Sequence, residues 1–245
     1  MKKTKNVDAD NALRVINEKS NFDTVETYKS IRTNIMFSLP KSDNGRIIAI
    51  TSAAPGEGKT TTSINLAITI AQTGNKVLLI DCDLRKSRVH RYLQIDRGEG
   101  ITNILCGFSE FDKAIRKNVR DNLDVLTSGE IPPNPAEILQ AEAFAALIAG
   151  LKDSYDYIII DTPPVTVVTD AIIVTKQCDG IVLVIKEDQT GYDMLDETVD
   201  AIRKANTKII GAIYLANESK SQKYGYYKHG KYKYKYDYRY CDDEE

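Results

Sequence analysis

The sequence predicts an α/β fold, a three-layer sandwich with a mostly parallel central sheet, on three observations. Near-continuous Ile/Val/Leu runs recur at Arg46–Ser52, Lys76–Asp81, Tyr155–Asp161, Gly180–Lys186 and Lys208–Leu215. Strands this apolar are buried on both faces, as in parallel sheets. Helical stretches separate them, as crossovers between parallel strands require. A glycine-rich turn, Ala53–Gly58, joins the first run directly to a helix.

Taken in order, residues 1–23 are polar and predict a mobile arm. From Thr24 to Leu39 the apolar residues Val25, Tyr28, Ile31, Ile35, Met36 and Leu39 recur at three- and four-residue spacing, an amphipathic helix closed by Pro40. Lys41–Gly45 is a turn. After the first strand comes a helix from about Lys59 to Thr73, capped by Gly74-Asn75. Residues 84–120 suggest two or three small helices. Leu123–Thr127 reads as a strand and Pro135–Lys152 as one helix. Further helices are expected at Thr169–Gln177 and Met194–Ala205. The folded domain is expected to end at Asn217. Residues 218–245 have no aliphatic anchor for a core and hold eight of the fourteen tyrosines, so they predict a disordered tail.

With 245 residues, 42% of them hydrophobic, the chain can bury one sizeable core, which excludes a wholly disordered protein. A net charge of -2 gives no whole-chain attraction to nucleic acid, and no such partner is expected. Residues 219–245 carry seven Lys/Arg against five Asp/Glu. Stacking of this Tyr/Lys segment on nucleic acid or polysaccharide is a rival reading of the tail. The four cysteines form no CxxC pair, which argues against a metal or disulfide framework and fits a reducing cytoplasm. No apolar run reaches the roughly 18 residues of a membrane span, so membrane association would come through a partner.

Ala53-Ala54-Pro55-Gly56-Glu57-Gly58-Lys59-Thr60 stands between a strand and a helix, the context of a Walker A motif. Gly56 and Gly58 let the backbone curl so that its N–H groups converge on phosphate oxygens. The helix that follows adds its N-terminal partial charge. Pro55, Gly56, Glu57, Gly58, Lys59, Thr60 and Thr61 form the candidate nucleotide site. Lys59 can reach the β- and γ-phosphates, and the Thr60 hydroxyl can ligate Mg²⁺. Ala53 stands where the usual pattern has its first glycine, which requires a loop without positive φ there. Two strand ends add carboxylates, Asp81 and Asp83 after Val77–Ile80 and Asp161 after Ile158–Ile160. Ligands of parallel sheets bind beyond the carboxyl ends of the strands, so all three converge on the loop. Asp81 and Asp161 suit Mg²⁺, and Asp83 suits a base or an orienting group.

These segments resemble the bacterial tyrosine kinases of capsular and exopolysaccharide biosynthesis. The likeness covers the chain from about residue 24 onward. It rests on Ala53–Thr60, Val77–Arg85 and Ile158–Asp161 as Walker A, A′ and B, on Gly129–Leu139, on Asp161–Pro164 with Thr169–Ala171, and on the tyrosine-rich tail. The resemblance implies a P-loop ATPase fold and an ATP- and Mg²⁺-dependent protein-tyrosine kinase. Lys59 would hold the phosphates, and Thr60, Asp81 and Asp161 would serve Mg²⁺. Asp83 would activate the acceptor tyrosine, with Arg85 assisting near the phosphates. The acceptors would be Tyr224, Tyr226, Tyr227, Tyr232, Tyr234, Tyr236, Tyr238 and Tyr240. It also implies ring assembly through Glu26, Lys29 and Arg32, where Lys29 replaces an arginine and loses its bidentate fork. A separate transmembrane activator, a cognate tyrosine phosphatase and a place at the inner face of the cell membrane complete what it implies. Two rivals stay open at the level of sequence. One is a partitioning-type ATPase, whose signature lysine position is here Ala54. The other is a non-catalytic scaffold whose assembly ATP controls.

Overall fold

The computed structural model describes residues 14–39 and 44–216. The chain divides into a unit Met1–Leu215 and a unit Ala216–Glu245. The tail with its eight tyrosines, residues 1–13 and residues 40–43, including Pro40, lie outside the described residues.

Among the described residues α1 spans Phe22–Ser38, β1 Arg46–Ser52, α2 Lys59–Ala71 and β2 Val77–Asp81. Three short helices follow, α3 Val89–Leu93, α4 Ile101–Leu105 and α5 Phe111–Ala114, then β3 Ile115–Arg120 and β4 Leu123–Leu126. The chain continues through α6 Pro135–Gln140, α7 Glu142–Leu151, β5 Tyr157–Asp161, α8 Asp170–Thr175, β6 Gly180–Lys186, α9 Tyr192–Lys204 and β7 Ile209–Leu215. The strands form one sheet in the order β3-β4-β2-β5-β1-β6-β7. All neighbours are parallel except β3 and β4.

The apolar runs account for this arrangement. In β1 every residue after Arg46 is buried, and β2 and β5 are buried throughout. Their side chains alternate between two core layers. Ile48, Ile50, Leu79 and Ile159 pack on one face with α2. Ile47, Leu78, Ile80, Ile158 and Ile160 pack on the other with Phe144, Ile148 and Leu151 of α7. Helix α1 joins the first layer through Tyr28 and Ile35, with Val25, Ile31 and Met36 partly buried, the face expected from the spacing. It begins at Phe22, capped by the Asn21 side chain, which accepts from Asp23 N at 3.0 Å.

Three expectations need correction. The arm expected to be mobile through residue 23 is docked from Arg14 onward. Val15 and Ile16 enter the core, Ile16 N donates to Asn65 Oδ1 at 2.9 Å, and Asn65 Nδ2 donates to Arg14 O at 3.1 Å. Residues 84–120 end in an edge strand, β3, as well as three helices. The single helix expected over Pro135–Lys152 is two, broken where Ala141 turns extended at ψ 147°.

Candidate functional site

The site lies where β1, β2 and β5 end together. Register pairs Asp81 with Asp161 across β2 and β5, and Ile50 of β1 with Asp161. The loop after β1 curls through Gly56 at φ 83° and Gly58 at φ 89°, conformations natural only to glycine. Ala53 is absent from the non-glycine residues with positive φ among those described, so alanine fits at the variant first position. Gly58 has a second constraint, because a Cβ there would lie 2.6 Å from Leu215 Cδ1. Thr62 N makes the first bond of α2, to Gly58 O at 2.9 Å. The N–H groups of Lys59, Thr60 and Thr61 therefore precede the first intrahelical bond, the position at which a helix start offers donors to an anion.

Lys59 Nζ donates to Asp83 Oδ2 at 2.9 Å, with both residues buried. Burial works against the Lys59 ammonium, but the charges of Asp161, Asp83 and Asp81 outweigh it and raise the pKa above the ordinary lysine value. Asp81 accepts from Asp83 N and Val89 N, both at 3.2 Å. Asp161 accepts from Thr60 Oγ1 at 2.7 Å, and Ser63 Oγ lies 3.0 Å from its other oxygen. Both carboxylates are fully buried. Burial first, then Asp161 and Asp83, push the Asp81 pKa up to about 8. Burial is also the leading cause raising Asp161.

Three carboxylates thus share one lysine, an excess of negative charge that a hard divalent cation would offset. The Thr60 hydroxyl gives its proton to Asp161 and keeps lone pairs for such an ion. The oxygen donors of Thr60, Asp81 and Asp161 therefore fit Mg²⁺.

Arg85 sits at the rim. Its Nε and Nη2 meet Asp170 Oδ2 and Oδ1 at 2.8 and 3.1 Å, a bidentate pair with a fully buried carboxylate. Asp170 was legible only inside the Thr169–Ala171 motif, and its anchoring role was not. Glu57, expected among the nucleotide ligands, turns its carboxylate inward. It accepts from Ala54 N at 2.8 Å and from Thr190 Oγ1. Sequence reasoning also missed Ser63, which sits one helical turn after Lys59 and so could have been found by spacing.

The trio on α1 is split. Glu26 and Lys29 pair at 2.7 Å at the surface, while Arg32 Nη1 donates to Thr69 O of α2 at 2.7 Å. Arg32 has a role inside the protomer that the sequence did not suggest.

Fold and site define the class as a nucleotide-binding P-loop protein, and a family described as "AAA domain" matches residues 45–212. Among named relatives, tyrosine-protein kinase YwqD of Bacillus subtilis is 43% identical, over 82% of this chain and 85% of that protein. Tyrosine-protein kinase CpsD of Streptococcus agalactiae is 39% identical, over 85% of this chain and 90% of that one. The crystal structure of the chimerical protein CapA2B2 superposes with a TM-score of 0.76 at 38% identity, covering 81% of this chain and 87% of that one. The chain belongs to the bacterial tyrosine kinase family, and its enzymatic class is that of a protein-tyrosine kinase.

Proposed function

We propose that this kinase transfers the γ-phosphate of ATP to the tyrosines of its own C-terminal segment and thereby regulates capsule or exopolysaccharide synthesis and export. The observation that carries the reading is the Lys59–Asp83 pair beside the buried Asp81 and Asp161. One ammonium and one carboxylate stand together, the first suited to phosphates and the second to an acceptor hydroxyl.

In this reading the loop's N–H groups and Lys59 hold the phosphates, with Thr60, Asp81 and Asp161 holding Mg²⁺. That ion supplies charge neutralisation at the β- and γ-phosphates. Lys59 exchanges Asp83 for phosphate oxygens, which frees the Asp83 carboxylate to accept the proton of an incoming tyrosine. Arg85, aimed by Asp170, steadies charge developing at the rim. Tyr224, Tyr226, Tyr227, Tyr232, Tyr234, Tyr236, Tyr238 and Tyr240 are the acceptors. The seven residues from Asn217 to Tyr224 span at most roughly 25 Å when extended, and Tyr240 lies up to about 80 Å along the chain. Transfer within a protomer and between protomers are both within reach.

A ring-like homo-oligomer, a transmembrane activator docked at the inner face of the membrane and a cognate phosphatase belong to the same proposal. Among the described residues no helix is long and apolar enough to cross a membrane. Each phosphate adds about -1.5 to -2 charges, so a few of them make the +2 tail anionic. Phosphorylated tails would then leave the carboxylate-rich site and loosen the assembly.

Incubation with labelled ATP and Mg²⁺, followed by phosphopeptide mapping, tests the reading. Label on the tail tyrosines, abolished by Lys59→Met, is expected. Label absent from tyrosine, or retained in Lys59→Met, overturns it.

A further inference from the structure

The phosphate loop is held from outside. Four successive carbonyls, from Ala53 to Gly56, each accept from a side chain. Thr166 Oγ1 donates to Ala53 O at 2.7 Å and Ser52 Oγ to Ala54 O at 2.9 Å. Gln189 Nε2 donates to Pro55 O at 2.7 Å, and Lys186 Nζ to Gly56 O at 3.2 Å. The last two donors come from the end of β6 and the turn that follows it. That turn is itself closed by Lys186 N donating to Thr190 Oγ1 at 3.0 Å, and the same hydroxyl reaches Glu57.

The consequence lies in peptide geometry. A trans peptide points its C=O and the next residue's N–H in opposite directions, and no described peptide is cis. A donor on Pro55 O therefore turns the Gly56 N–H away from the β6 turn. A donor on Gly56 O does the same for the Glu57 N–H. Neither N–H has a protein acceptor among the described residues. Both are left for an anion on the inner side of the loop. Without outside donors the glycine peptides are free to flip, because Gly56 populates both signs of φ with equal ease.

We infer that Gln189 and Lys186 are positioning residues that fix the inward aim of the phosphate-loop amides and so set affinity for nucleoside di- and triphosphates. The inference rests on the P-loop reading of the site. The two donors act through the loop's backbone, and both lie more than 120 positions beyond it in sequence. Gln189 is exposed and uncharged. Its replacement therefore tests the hydrogen bond with no loss of core packing and no change in the field around the phosphates.

The test uses the full chain with Mg²⁺, ADP titrated calorimetrically and ATP varied in the phosphotransfer assay. Gln189→Met is expected to weaken ADP about fivefold, the scale of one net hydrogen bond. It should raise KM for ATP by a similar factor and hold kcat within about twofold, because the cradle contacts ground and transition states alike. Lys186→Met should weaken ADP further, since charge is lost as well, and Lys186→Arg should restore most of the affinity. The melting temperature without nucleotide should stay within about 2 °C of wild type for Gln189→Met. ADP affinity within twofold of wild type in both Met variants overturns the inference, as does a lowered melting temperature with an unchanged KM. Failure of the wild type itself to bind ADP refutes the P-loop reading instead, and Lys59→Met serves as the binding-deficient reference.

Discussion

Lys59 Nζ and Asp83 Oδ2 lie 2.9 Å apart, and both residues are almost fully buried. In the proposed function a nucleotide's phosphates would compete with Asp83 for this ammonium, so the pair would oppose binding while it lasts. Asp83→Asn should therefore bind ADP as tightly as wild type or several-fold tighter, while tyrosine transfer falls by about 10²-fold, the scale of a lost general base. ADP titration and labelled-ATP transfer measure the two. A variant that loses both together would show that Asp83 supports the fold rather than the chemistry.

The pH dependence of stability has a definite sign. The Asp81 carboxyl is pushed up to about 8 from an ordinary 3.8, by burial first and then by Asp161 and Asp83. It binds its proton more tightly in the fold than in the unfolded chain. Its contribution is full below 3.8 and is lost as pH rises through about 8. Asp161, also raised, acts in the same direction. With EDTA and no nucleotide, Asp81→Asn should gain melting temperature relative to wild type between pH 5 and pH 8. A change of about 3 °C or more is expected, the scale of ~1 kcal/mol for a domain this size. A gap that stays constant across this range would contradict the shift.

The two halves of the phosphate loop should respond differently to substitution. Gly58→Ala meets positive φ and a contact of 2.6 Å with Leu215 Cδ1. It should lose at least about tenfold in ADP affinity, a penalty near 1.4 kcal/mol. Adding Leu215→Ala removes the clash and leaves the φ strain, so rescue should be partial. Ala53→Gly, which restores the usual pattern, should leave affinity within twofold and cost about 1 kcal/mol of stability from added backbone freedom and a lost buried methyl. Calorimetric titration and thermal melts distinguish the three.

Much of this could be read from sequence because its signals are local. The strand cores are unbroken apolar runs, and the aspartates end those runs at fixed positions. The glycines announce the curl, and α1 shows its buried face in its spacing. What was hidden is set by distance or by weak local pattern. In β3, Arg116, Lys117 and Arg120 leave too few apolar residues for a strand signal, and charge is what an edge strand carries to avoid pairing with other chains. The break at Ala141 has no glycine or proline to mark it. There α6 packs on α8, while Phe144, Ile148 and Leu151 of α7 turn to the sheet. Val15-Ile16 is too short to show a period. Lys186, Gln189 and Thr190 reach the phosphate loop only because β6 lies beside β1, which no local pattern reveals.

Asp170 and Arg85 couple the rim to a buried anchor. The Asp170 side chain is wholly buried and that of Arg85 is 41% exposed, so the carboxylate holds the guanidinium in place rather than the reverse. Asp170→Asn keeps the shape but leaves one acceptor for two donors. It should lower kcat for tyrosine transfer several-fold at unchanged ADP affinity, and Arg85→Lys, which loses the fork, should match it. Steady-state kinetics with ADP titration decide this. A change confined to ADP affinity would place Arg85 in nucleotide binding instead.

The residues of α1 separate assembly from folding. Glu26 and Lys29 meet each other at the surface, with 44% and 43% of their side chains exposed, so neither supports the protomer's core. An exposed pair of this kind contributes about 0–1 kcal/mol. Arg32 instead closes the α1–α2 contact through Thr69 O. If α1 mediates ring formation, Glu26→Ala should reduce oligomer mass in light scattering and leave the melting temperature within about 1 °C. Arg32→Ala should reduce both, because it removes a charge-assisted hydrogen bond worth about 1.5–3 kcal/mol inside the protomer. Lys29→Arg restores a bidentate group and should raise the oligomeric fraction at fixed concentration. Unchanged mass in both Glu26→Ala and Lys29→Arg would remove α1's charged flank from the interface.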